Sequence, residues 1–175
     1  MDAVLAEALP LNVLDVPEAT DSSRRDVFYG LVERTPLVRS HYDLKGHRGL
    51  MKDETVQRSG AYKLRGFANA VMRAHEADPD LNLLYIASAG NAGNAAAIVG
   101  KQISATTHVQ SMRGMSPKKA ANLRHNGARV HDRYDTLEDA MLTAQRLGRR
   151  ERAVALHPFD QVEVIAGQAT AGFEM

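Results

Sequence analysis

Lys63 is the side chain with the clearest chemical potential in this chain. It lies in Ser59-Gly-Ala-Tyr-Lys-Leu-Arg-Gly66, and Ser88-Ala-Gly-Asn91 begins 25 residues after it. A lysine that leaves a loop and enters the first turn of a helix is placed to act as a nucleophile. The partial positive charge of a helix N-terminus disfavours its ammonium form, and the nearby Arg65 is expected to add to that effect. A neutral amine condenses with a carbonyl and can later take a proton from the neighbouring carbon. The second segment follows an apolar run and opens another helix. Its small residues permit close backbone approach, and free amides at a helix N-terminus suit a carboxylate. The Asn91 amide could donate to a ring hydroxyl. Taken singly, each segment also has an ordinary explanation: a solvated helix lysine, and a strand-to-helix turn capped by Ser or Asn.

Other chemistries find little support. Cys is absent, which removes thiolate nucleophiles, thiolate metal sites and disulfides and fits a reducing compartment. None of the seven His residues has the spacing of a metal-binding pair, and His157, before Pro158-Phe-Asp160, reads as a structural turn residue. Gly90-Asn-Ala-Gly-Asn94 is not a dinucleotide fingerprint, and Arg113, Lys118, Lys119 and Arg124 read as a solvated basic face. A net charge of +1 gives no bulk electrostatic case for nucleic acid or a membrane surface, and 5% aromatic residues without Trp give no stacking platform. The first charged residues, Asp2 and Glu7, are acidic, the first basic residue is Arg24, and no apolar run approaches the ~20 residues that span a bilayer. A cytoplasmic location is the expectation.

The elements that must position Lys63 and Asn91 follow from hydrophobic period and punctuation. Residues 1–20 read as an irregular arm, then Asp21-Ser-Ser-Arg24 caps a helix through Val27 to Val32. Thr35-Pro-Leu-Val-Arg39 reads as extended and Gly49 to Glu54 as a strand end feeding a loop. From Gly60 a helix is predicted, its stripe made by Leu64, Phe67, Ala68, Val71 and Met72. Leu81–Ala87 has the continuous apolar character of a strand buried on both faces. Helix then strand follow at Asn91–Val99 and Ser104–Val109, then a helix from Ser116-Pro117 to His125 closed by Asn126-Gly127. Ala128–His131 is a strand, Thr136-Leu-Glu-Asp139 a capping box opening a helix to about Leu147, Ala153–Leu156 a strand, and Gln161 onward a helix. This alternation predicts an α/β fold with an open sheet of parallel strands joined by right-handed βαβ crossovers.

In order along the chain stand Thr35-Pro-Leu, Lys52-Asp-Glu54, Gln57-Arg-Ser-Gly-Ala-Tyr-Lys-Leu-Arg-Gly66, Ser88-Ala-Gly-Asn91, Lys119 with Asn122-Leu-Arg124, Gly127-Ala-Arg-Val130, His157-Pro-Phe-Asp160 and Val164-Ile-Ala-Gly-Gln-Ala-Thr170. As an ordered set over about residues 33 to 175, they resemble the serine/threonine dehydratases, fold-type II enzymes that use pyridoxal phosphate. The resemblance implies that Lys63 joins the cofactor as an imine, that Tyr62 packs beside its ring, and that Asn91 bonds its 3-hydroxyl. It implies that Ser88, Ala89 and Gly90, with Asn91, present the loop for the substrate carboxylate. The chemistry implied is deamination of L-threonine to 2-oxobutanoate and ammonia, or the same reaction on serine.

Three departures matter. Ala92 stands where the family often has His, and Ala61-Tyr-Lys63 where it has Ser-Phe-Lys. The third is the glycine-rich phosphate loop, which the family places after the Gly-Gln-x-Thr helix and which is not found before Met175. The expectation is therefore an arm and the start of a large domain over residues 1–60, a small α/β domain over 61–157, and a helix over 158–175 returning to a truncated large domain. Pyridoxal phosphate is expected to bind weakly or not at all, with little turnover by the chain alone. A homo-oligomer or a complementing C-terminal half is the expected partner. Two alternatives stand beside this: a catalytically dead remnant or split subunit used as a scaffold, and a related lyase, racemase or β-replacement enzyme.

Overall fold

The computed structural model describes residues 22–44 and 46–175. The arm expected over residues 1–20 and the Asp21 cap lie outside them. Elements run in the order α1 (Ser22–Leu31), β1 (Leu37–Leu44), β2 (His47–Lys52), a 3-10 turn (Glu54–Val56), α2 (Lys63–Ala77), β3 (Leu83–Ala87), α3 (Asn91–Gln102), β4 (Thr106–Met112), α4 (Pro117–His125), β5 (Arg129–Tyr134), α5 (Leu137–Arg150), β6 (Val154–Leu156) and α6 (Val162–Phe173).

The α/β expectation holds for the central body. Four parallel strands pair in the order β5-β4-β3-β6. The apolar run at β3 is flanked on both sides, which is why four of its five residues are buried. Helices α3 and α4 pack along one part of the sheet and α5 along β3, β4 and β6. The predicted stripe of α2 is fully inside: Leu64, Phe67, Ala68 and Val71 have no exposed surface. Gly127, at φ +94°, ends α4 in the left-handed region that glycine adopts without a Cβ penalty. Thr136 caps α5 as expected, its Oγ1 accepting from the Asp139 amide at 3.0 Å.

Three local expectations change. Ser104 is a turn residue at φ +60°, so β4 begins at Thr106. The helix expected from Gly60 begins at Lys63, because Gly60 adopts φ +73° and closes a turn instead. The segments near Thr35 and Gly49 pair with each other as an antiparallel hairpin, Leu37 opposite Lys52 and Leu44 opposite His47. That pairing passes through Gly46 at φ +83° and adds a small two-stranded sheet to the parallel one.

Side chains distant in sequence also form a row across β3, β4 and β5. The Tyr85 and His108 rings lie 4.8 Å apart, and His108 Nδ1 meets His131 Nε2 at 3.1 Å. The Tyr85 hydroxyl donates to Glu151 at 2.6 Å. Among the described residues no group of His, Cys, Asp or Glu is arranged to hold a metal ion, and no helix is long and apolar enough to cross a membrane.

Helices α2 and α6 cross in close backbone contact. A Cβ on Gly66 would lie 2.7 Å from the Val164 carbonyl oxygen, and one on Gly167 would strike the backbone of Arg65 and Gly66. The two glycines thus let the helix backbones touch, which sets where the start of α2 lies. Gly167→Ala is expected to cost about 1–3 kcal/mol of folding free energy through overpacking, read as a lower urea midpoint at unchanged slope. Gly172→Ala, on the same helix with open space around its Cβ position, is expected to be neutral or stabilising by up to about 1 kcal/mol.

Candidate active site

The chain runs outward from β3 to β4 to β5 and then crosses back to place β6 on the other side of β3. Strand order reverses between β3 and β6, and in open parallel sheets ligands lodge in the crevice outside the carboxyl ends at such a point. Both segments singled out by the sequence arrive there. Ser88-Ala-Gly-Asn91 leaves the carboxyl end of β3, and the Ser88 amide continues the sheet by donating to the Gln110 carbonyl at 3.0 Å. Lys63, the first residue of α2, donates from Nζ to the Pro158 carbonyl at 2.8 Å, just beyond the carboxyl end of β6.

Buried hydrogen bonds fix the spacing between the two segments. The Asn94 amide, one turn into α3, donates to the Ser59 carbonyl at 3.1 Å. Asn126 in turn donates to the Asn94 oxygen. Ser59 Oγ donates to the Ala61 carbonyl at 2.9 Å and holds the turn that delivers Lys63. The loop before Lys63 is thereby tied to the helix that Asn91 opens. Sequence reasoning missed this tie, because Asn94 and Asn126 carry no signal until the strands bring them together.

The Ser88-Ala-Gly-Asn91 turn is shaped from within. Ser88 Oγ accepts from the amides of Gly90 at 3.1 Å and Gly93 at 2.9 Å, while the capping position itself is Gly90. Ser88 is buried, so its hydroxyl organises the loop. The Asn91 and Ala92 amides are then left without helical acceptors, and the exposed Asn91 carboxamide makes no hydrogen bond to any described residue. Tyr62 is half exposed, with Lys63 Nζ 5.0 Å from the centre of its ring. His157 is the turn residue expected: its Nδ1 accepts from the Asp160 amide at 2.7 Å.

Behind Lys63 stands an ion cluster that the sequence did not announce. Arg65 has no exposed surface, and its guanidinium is clasped by two carboxylates. Glu54 accepts at 2.8 and 2.9 Å, and Glu174 at 2.7 and 2.9 Å. Thr170 and Thr35 fill remaining donors, and Lys52 also reaches Glu174, at 2.6 Å. Burial alone would raise the Glu174 carboxyl, but its bonds to Arg65 and Lys52 outweigh that and bring it from 4.5 to about 2. Burial opposes ionisation at Glu54 as well, and Arg65 with Thr35 holds it below the usual carboxylate value. The expectation that Arg65 acts on the Lys63 amine is therefore revised. Two residues apart, the side chains point about 200° apart around the helix, and the Arg65 charge is met by two carboxylates.

A primary amine, a free carboxamide, an aromatic ring and two open amides suit the aldehyde-bearing ring of pyridoxal phosphate. A family model described as pyridoxal-phosphate dependent enzyme matches residues 29–175. The chain belongs to that family. Pyridoxal phosphate is the family's cofactor, and the fold is that of its fold-type II members. An L-threonine ammonia-lyase of Geobacter sulfurreducens is 30% identical over 162 residues, covering 91% of this chain and 39% of that protein. A solved aspartate racemase that depends on pyridoxal 5'-phosphate superposes with a TM-score of 0.78 at 26% identity, over 85% of this chain and 47% of that one. The processed form of threonine deaminase isoform 2 from Solanum lycopersicum does so with a TM-score of 0.75 at 26% identity, over 89% of this chain and 46% of that one. The chain thus spans less than half the length of each of these three proteins.

Arg65→Met is expected to cost about 3–5 kcal/mol, because it strands buried carboxylates without their partner. The Glu174 contribution to stability is complete above pH 4.5 and is lost as the pH falls toward 2, since its folded value is depressed. In Arg65→Met the deficit shrinks in acid, where protonation relieves the stranded carboxylates. Urea titrations of both chains from pH 7 to pH 3 check this: a deficit that stays constant over that range would rule out the charge cluster as its source.

Proposed function

We propose that this chain supplies the amine and the carboxylate loop of a pyridoxal-phosphate-dependent lyase acting on L-threonine or L-serine. The observation that supports it best is that Lys63 and Ser88-Ala-Gly-Asn91 both lie at the carboxyl ends of the strands, on the two sides of the point where the strand order reverses. The relatives named as L-threonine ammonia-lyase and threonine deaminase point to the same reaction class. When bound, the cofactor supplies an aldehyde that joins amines and a conjugated ring that withdraws electrons from the adjoining carbon.

The residues divide the work. The Asn91 and Ala92 amides, with the Ala89-Gly90 backbone, hold the α-carboxylate of the amino acid and so fix its Cα. The Asn91 carboxamide would donate to the ring hydroxyl, and Tyr62 would pack beside the ring. Lys63 leaves the Pro158 carbonyl, takes the proton from Cα on its nitrogen, and can return one to the departing β-hydroxyl, which leaves as water. Hydrolysis of the remaining enamine gives a 2-oxo acid and ammonia. For threonine the 2-oxo acid is 2-oxobutanoate.

A second reading, that of a racemase, is supported by the superposition on the aspartate racemase. A racemase needs a proton returned to the opposite side of Cα instead of a leaving group. The phosphate of the cofactor is the part these residues serve least, since no two glycines are consecutive anywhere in the sequence. A second segment that supplies the phosphate grip belongs to the proposal. Leu50, Met51, Val56, Phe159 and Phe173 are exposed apolar side chains that such a neighbour would cover.

Incubation with pyridoxal phosphate, borohydride reduction and peptide mapping tests the assignment. The label is expected on Lys63 above all other lysines and is expected to vanish in Lys63→Ala. Ammonia release from L-threonine or L-serine, lost in the same variant, is expected once the phosphate-binding partner is present. Uniform labelling of surface lysines in both chains would overturn the assignment of Lys63 and favour a non-enzymatic scaffold.

A further inference from the structure

A second cavity, of about 280 Å³, opens beside the carboxylate loop and shares Ala89 with it. Its other walls come from the end of β4 and the start of α4, and they are unusually well furnished for an anion. Ser111 lies in the wall without exposed surface, and its hydroxyl has no hydrogen-bond partner. Alternation along β4 places Ser111 on the same side as Val109 and Thr107, which face α3: Thr107 Oγ1 donates to the Ala96 carbonyl, and Val109 packs where a Cβ on Gly93 would stand. The hydroxyl is therefore directed to the loop side of the strand. A buried hydroxyl left unpaired costs about 1–3 kcal/mol, so its retention calls for an explanation.

The cavity offers one. Helix α4 begins with Ser116 at the cap and Pro117 in its first turn, yet the Ser116 side chain makes no capping bond. The Lys118 and Lys119 amides thus point outward without helical acceptors, and this end of the helix carries partial positive charge. Lys119 lines the cavity and forms no ion pair with any described residue. Arg113 lines it as well; its Nε donates to the Arg133 carbonyl at 3.0 Å and lies 3.5 Å from the exposed Asp135 carboxylate. Two cations, an unpaired hydroxyl and the first turn of α4 border one space.

We infer that this cavity binds the anionic end of a substrate side chain, so that a β-hydroxy dicarboxylic amino acid is accepted beside L-threonine and L-serine. The inference rests on the proposed function, because Ala89 belongs to the loop assigned to the α-carboxylate. With that carboxylate on the Asn91 and Ala92 amides, a short side chain directed past Ala89 enters the cavity, where Ser111 donates and Lys119 and Arg113 supply charge. For elimination, the class is a β-hydroxy dicarboxylic amino acid: the Cα proton and the β-hydroxyl leave together as water, and hydrolysis then releases ammonia and an oxo-diacid.

Amide chemical shifts of the full chain, titrated with L-aspartate, L-alanine and inorganic phosphate, test this. L-Aspartate is expected to move the Ala89, Ser111 and Lys119 amides with a Kd about tenfold or more below that of L-alanine. Arg113→Gln combined with Lys119→Gln, both exposed positions, is expected to erase that difference. Ser111→Ala is expected to weaken aspartate binding while leaving stability equal or higher, since it removes an unpaired buried hydroxyl. Equal affinity for L-aspartate and L-alanine, or no movement at Ser111 and Lys119, overturns the inference. Movement with phosphate and not with L-aspartate also overturns it, as the mark of a free-anion site. The test is separate from that of Lys63: in Lys63→Ala the cofactor label disappears, whereas the shifts induced by L-aspartate persist.

Discussion

A guanidinium without exposed surface is untenable unless carboxylates come to it, and much of this structure is arranged around meeting that demand at Arg65. Its partners stand 11 and 109 residues away along the chain. Satisfying them brings the 3-10 turn, the end of α1, the start of α2 and the last turn of α6 to one point. Glu54 and Glu174 each grip the guanidinium with both oxygens, a geometry that fixes direction as well as distance. The cluster is a weak source of net stability, because desolvation offsets most of the attraction. Its contribution is specificity of placement, and what it places is the first turn of α2.

That placement has two further supports of different physical kinds. The crossing of Gly66 and Gly167 sets the distance between α2 and α6 by direct backbone contact, which no side-chain rotamer can relax. The Ser59–Asn94–Asn126 chain sets the distance to α3 through hydrogen bonds between buried and half-buried groups. Charge, packing and hydrogen bonding thus each constrain one side of the helix start. Lys63 projects from the remaining side, toward the carboxyl end of β6. A reactive amine held on a rigid element can rest on a neutral carbonyl and still be close to where it is needed, because only its side chain has to move.

How much of this could be read in advance depended on whether the signal was local. The α2 stripe, the β3 run, the Thr136 cap and the Gly127 stop are set by residues within a few positions of one another, and each lies where its pattern put it. The family pattern added Lys63 and Asn91. What escaped was non-local. The antiparallel pairing of β1 and β2 is a matter of partner choice, to which period-2 alternation is blind. Arg65 was legible as a cation near Lys63, yet its carboxylates lie on elements that only the fold brings together, so its role came out reversed. Ser111 looked like any strand serine until burial and the lack of a partner set it apart.

Four basic residues described around these sites therefore fall into two pairs with opposite consequences for the crevice. Arg65 and Lys52 are neutralised where they stand by Glu54 and Glu174, so they add little field beyond their own cluster. Lys119 has no carboxylate among the described residues, and Arg113 has only the solvent-screened Asp135. At a net charge of +1 the whole molecule exerts no long-range pull on an anion. Attraction has to be local, and the uncompensated charge that could provide it lies on the β4–α4 side of the crevice and not behind Lys63. An anionic group approaching the carboxyl ends of these strands would meet α4 and its lysine beside the carboxylate loop. On the proposed function, this asymmetry would turn the amino acid's side chain toward β4 while leaving its Cα to Lys63.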